Sequence, residues 1–107
     1  MKYLKTLYGK AIIDSSDSEE IQDDHKIELE YYATKRRLLF KKESKPYGIE
    51  VVKKDIERNR IDVEKTVVNN ICGLEQEMKN LLNILVVNKV TPMSVEDIIS
   101  DLKFSLG

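Results

Sequence analysis

The hydrophobic pattern changes period about two-thirds of the way along this chain of 107 residues, and that change limits the folds open to it. In the earlier part apolar residues recur at every second position. Ile27, Leu29 and Tyr31 alternate with Glu28, Glu30 and Tyr32, as a strand with one buried face requires. Behind Pro46, Tyr47, Ile49 and Val51 alternate with Gly48, Glu50 and Val52 and form a second strand. Ile61, Val63 and Val67 supply a third, after a polar turn at Glu57-Arg58-Asn59. The segment from Tyr3 to Ile13 adds another, with Gly9 as a bend or bulge. Leu38-Leu39-Phe40 is a further short apolar run. Short connections make the pairing antiparallel, because a parallel crossover needs a dozen or more residues.

The later part has helical spacing. Leu74, Met78, Leu81, Leu82 and Leu85 form one stripe of an amphipathic helix. Glu75 and Glu77 sit in its first turn, where they complement the positive end of the helix dipole. After the break at Val90-Thr91-Pro92, Val95, Ile98, Ile99 and Leu102 line a second helix. Two starts compete for it: Ser94 and Asp97 as a capping box, or Thr91 as cap with Pro92 as first helical residue. The pattern predicts a single α+β domain over residues 1–107. A small antiparallel sheet of three to five strands, mainly within 26–70, is followed by helices at 74–89 and 94–104 packed on one face.

Charge is segregated along the chain. The 18 Lys and Arg nearly balance the 19 Asp and Glu, for a net charge of -1. That balance argues against a general coat for nucleic acid. Yet Asp14, Asp17, Glu19, Glu20, Asp23 and Asp24 lie together with no base among them. This serine-rich stretch has too little apolar surface to offset its ordering entropy, and residues 14–25 are expected to form an acidic mobile loop. Lys35, Arg36, Arg37, Lys41, Lys42 and Lys45 form the opposite cluster, interrupted by Glu43. With Tyr31, Tyr32, Phe40 and Tyr47 nearby, they offer cations for phosphate and rings for stacking. The competing reading is a lysine-rich edge that resists edge-to-edge pairing.

Catalytic chemistry finds little to work with. His25 is the only histidine and follows Asp23-Asp24, so a carboxylate-oriented base is conceivable. A solvated residue closing the acidic loop is the simpler account, because catalysis needs fixed geometry. Cys72 precedes the first helix, whose N-terminus can lower a thiol pKa. Beside Ile71 it reads more simply as a small buried hydrophobe. The acidic run lacks the alternating ligands and central glycine of a calcium loop. The second helix carries Glu96, Asp97 and Asp101 against Lys103, which DNA would repel. No phosphate-loop, dinucleotide, nucleophile-elbow or zinc-protease motif occurs, and no cofactor or metal is expected.

The strand Tyr47-Gly48-Ile49-Glu50-Val51-Val52 and the tail from Asn88 to Leu102 resemble a family of short clostridial-type proteins, a domain of unknown function. Tyr47, Gly48, Thr91, Pro92, Asp97 and Asp101 are the matching positions, and the similarity covers about half the chain. The resemblance implies the order of elements and no catalytic residue. The acidic and basic runs stand outside its pattern.

These observations lead to a small cytoplasmic protein without catalysis, a protein-interaction or regulatory module. No run approaches the ~20 apolar residues of a membrane span or the apolar core of a signal peptide, and one unpaired cysteine suits a reducing compartment. The expected partner is another protein or a second copy. The alternative is an anion- or nucleic-acid-binding protein using the basic segment 35–45.

Overall fold

A computed structural model describes residues 2–14, 25–37 and 45–106. Four strands come first: β1 (Lys2–Ile13), β2 (His25–Arg37), β3 (Tyr47–Glu57) and β4 (Arg60–Cys72). Two helices follow, α1 (Glu75–Val87) and α2 (Pro92–Leu106). The strands form one antiparallel sheet in the order β1-β2-β3-β4, so each pairs with its neighbour in sequence. The α+β class and the two C-terminal helices agree with the hydrophobic periods.

Several boundaries differ from the sequence reading. The second helix begins at Pro92, and the Ser94 N–H donates to the Thr91 carbonyl at 3.0 Å. Proline suits that first position because its φ is preset and its missing donor would be unpaired there anyway. Ser94 therefore lies inside the first turn and is not the cap. His25 opens β2 instead of closing the acidic loop, and β1 and β4 extend the sheet beyond 26–70. The run Leu38-Leu39-Phe40 and residues 15–24 of the acidic stretch lie outside the described residues.

Both helices lie on one face of the sheet. There α1 packs against all four strands and α2 against β3 and β4. Leu29, Tyr31, Ile49 and Val51 from the sheet meet Met78, Leu82, Leu85, Val95 and Ile99 from the helices. Each such side chain contributes about 1.5–3 kcal/mol on burial. The Tyr31 hydroxyl donates to the Val90 carbonyl at 2.8 Å, tying the helix connection to the middle of the sheet.

Two glycines mark irregularities in the sheet. The register shifts between Leu7 and Gly9, and a Cβ on Gly9 would stand 3.1 Å from a methyl of Val86, so α1 lies close over the bulge. The second shift lies between Tyr47 and Ile49, where β4 bulges with Asn70 at φ 57°. A Cβ on Gly48 would collide with the Val68 carbonyl oxygen and stand 3.0 Å from Asn69 Cα. Only glycine allows that approach. Past this bulge Ile71 and Cys72 are both buried in the core.

The end of α1 is closed without glycine. The Val90 N–H donates to Leu85 and the Lys89 N–H to Val86, the paired bonds of a Schellman turn, with Lys89 left-handed at φ 50°. Asn88 adds a side-chain bond to the Ile84 carbonyl at 2.8 Å.

Candidate functional site

With both helices on one face, the other face of the sheet is bare among the described residues. Pairing partners share a face, so the register defines its composition. One row crosses Leu7, Tyr32, Glu50 and Val67, and the next Lys10, Glu30, Val52 and Lys65. Then come Ile12, Glu28, Lys54 and Val63, and finally Lys26, Ile56 and Ile61. Leu7 and Ile12 on β1, and Ile61, Val63 and Val67 on β4, are 38–63% exposed.

The strand expected at Ile61, Val63 and Val67 is β4. Ile61, Val63 and Val67 do alternate, but they point away from the helices. Asp62, Glu64 and Thr66 take the other side, which is also largely exposed over this part of β4. Alternation reveals that two sides of a strand differ, and says nothing about which of them meets the helices.

Charge on the bare face is layered. The Lys5 ammonium pairs with Glu50 and stands 4.2 Å from the centre of the Tyr32 ring. Glu30 accepts Lys54 at 3.4 Å and Lys10 at 3.9 Å, and Lys26 meets Glu28 at 3.3 Å. The carboxylates of Glu50 and Glu30 are sunk, whereas Lys5, Lys10 and Lys26 are exposed above them. Glu50 is thereby buried on a side of β3 that alternation reads as solvated: Gly48 to Val52 are buried without a break. Thr34, also on this face, is buried beside Gly48, and its hydroxyl has no hydrogen-bond partner among the described residues.

The sequence-selected basic residues are divided by the strand. Lys35 lies over the Tyr47 ring at 5.3 Å and, with Tyr47, Met78 and Lys79, lines a cleft of about 270 Å³ on the helix side. Arg36, one residue on, belongs to the bare face by alternation. Its backbone N–H donates to the Pro46 carbonyl at 2.9 Å, and Lys45, which precedes that proline, is exposed. Arg37 ends β2, and Lys41 and Lys42 lie outside the described residues.

His25 and Cys72 are not brought together. His25 stands opposite Glu57 and Cys72 opposite Tyr47, at the two ends of β3. Ten residues of strand separate those rows, about 33 Å. His25 Nε2 meets Asp55 Oδ1, a carboxylate thirty residues away in sequence, while Asp23-Asp24 lie outside the described residues. Cys72 is buried with its Sγ 3.5 Å from the Leu74 carbonyl, in keeping with a small core residue. Among the described residues no three His, Cys, Asp or Glu side chains gather as a metal site would need. No helix among them is long and apolar enough to cross a membrane.

Sequence reasoning missed the bare-face aliphatics and the Lys5–Glu50–Tyr32 group. The signal for the first was present in the Ile61-Val63-Val67 alternation. The second depends on how the bulge at Gly9 shifts the faces of β1, and the glycine marks the bulge without fixing the register across it.

The chain matches the model of a family described as Family of unknown function (DUF6514) over residues 10–103. No curated protein and no solved structure matches it. The match takes in both charged segments as well as the Tyr-Gly-Ile strand and both helices, and the chain belongs to that family.

Proposed function

We propose that this member of the DUF6514 family is a non-catalytic protein-interaction module of the cytoplasm, docking through the bare face of its sheet. The observation that supports this most is the direction of β4. A strand needed only for the core would turn its aliphatic side toward the helices; β4 turns Ile61, Val63 and Val67 outward. Exposed aliphatic groups gathered on one face mark a surface that gains by being covered. A regulatory role follows if occupancy of the face changes what the partner does.

The test is retention of protein from native extract on the immobilised chain. A stoichiometric partner is expected, and Val63→Lys should abolish its retention while leaving the circular dichroism spectrum unchanged. Retention of nothing, together with substrate turnover by the purified chain, would overturn the reading.

A second reading draws on the contact between Arg36 and Pro46, the residue that follows Lys45 in sequence. In this reading these cations, with Lys35, Arg37, Lys41 and Lys42, bind a polyanion. Binding to single-stranded polynucleotide should then weaken steeply with salt and be lost on charge reversal at Arg36 and Arg37.

A further inference from the structure

We infer that the partner covering the bare face is a protein presenting an acidic helix with an aliphatic stripe. This rests on the reading of that face as the docking surface. The register assigns Lys5, Lys10, Lys26, Arg36, Lys54 and Lys65 to the face, against Glu28, Glu30 and Glu50. Six cations and three carboxylates leave it at +3, although the whole chain is -1. The height of the groups reinforces the count. Glu30 and Glu50 are 15% and 6% exposed, while Lys10 is 63% exposed, so an approaching surface meets ammonium groups first.

The aliphatic groups sit at the margins, Leu7 and Ile12 on β1 and Ile61, Val63 and Val67 on β4. Ile61 stands directly opposite Ile56, which gives the β4 margin a two-strand apolar footing near the hairpin. A helix laid along this margin buries its stripe on Ile56, Ile61 and Val63 and directs flanking carboxylates toward Lys54 and Lys65. Cross-partner charge matching of this kind sets partner choice and encounter rate. A second copy fits less well. Face against face brings +3 onto +3. Face against the acidic helix layer, with Glu75, Glu77, Glu96 and Asp97 exposed, is a head-to-tail contact that tends toward open arrays.

The experiment titrates the full chain with two synthetic helical peptides of identical leucine stripe, one flanked by Glu and the other by Lys. Calorimetry should show the Glu-flanked peptide binding at least about tenfold tighter at low salt, with the gap closing as salt rises. Methyl shifts should appear at Ile61 and Val63, and Lys65→Glu should remove most of the preference without changing the fold. Equal binding of both peptides, or binding of neither, overturns the inference. So does self-association of the free chain that Val63→Lys abolishes, or displacement of the Glu-flanked peptide by single-stranded polynucleotide. A Val63-dependent partner from extract together with failure of the Glu-flanked peptide would sink this inference and leave the docking reading standing.

Discussion

The phenol of Tyr31, in the middle of β2, donates a 2.8 Å hydrogen bond to the backbone carbonyl of Val90, which belongs to the connection between the helices. The bond is fully buried and joins residues fifty-nine positions apart. Removing the hydroxyl leaves a buried carbonyl unpaired, so Tyr31→Phe should cost about 1 kcal/mol in urea unfolding. It should also alter alkaline behaviour. Burial holds the Tyr31 phenol well above its ordinary range, so the unfolded chain releases this proton first as pH rises. The Tyr31 contribution is intact below about pH 10 and falls as pH climbs further. The alkaline decline in stability should therefore be shallower in the Phe variant than in the parent.

Gly48→Ala places a methyl against the Val68 carbonyl and the Asn69 Cα, both backbone atoms of the β4 bulge. Neither can move without disturbing the pairing of β3 with β4. A loss of at least about 2 kcal/mol is expected from chemical denaturation. Gly9→Ala, which meets a side-chain methyl of Val86, should cost less.

Lys89 holds a left-handed conformation at φ 50° in the position where helices commonly place glycine. Lys89→Gly removes the Cβ from that strained region and should raise stability by about 0.5–1 kcal/mol. A higher thermal midpoint with an unchanged spectrum would show it.

Thr34 is 1% exposed, and its hydroxyl is without a hydrogen-bond partner among the described residues. Thr34→Val keeps the branched shape and replaces the hydroxyl by a methyl. Stability should rise by about 1 kcal/mol, measured by the denaturation midpoint. A fall would mean that the hydroxyl has a partner in solution.

The sequence carries the class of fold because period is a local property. The Leu74-to-Leu85 stripe needs no knowledge of the rest of the chain to read as a helix, and Pro92 announces its own break. Face assignment is not local. The alternation at Ile61, Val63 and Val67 marks a strand equally well in either orientation, and only register against Ile56, Lys54 and Glu50 shows that these residues face outward. The pairing of Lys5 with Glu50 likewise depends on an inserted residue before Gly9 and on the strand order. The basic run shows the opposite failure: Lys35 and Arg36 are adjacent in sequence and project to different sides because a strand separates consecutive side chains.

The meander of strands has a kinetic consequence. β3 and β4 are joined by Arg58 and Asn59 alone, whereas eleven residues separate β1 from β2. Chain-entropy scaling makes closure of the longer connection about 1.5 kcal/mol more costly. The two-residue hairpin is thus the cheapest long-strand contact in the molecule, and it presents a template edge to which β2 and then β1 add. Assembly is expected to run from the C-terminal edge of the sheet toward the N-terminal one, opposite to the direction in which the ribosome delivers the strands.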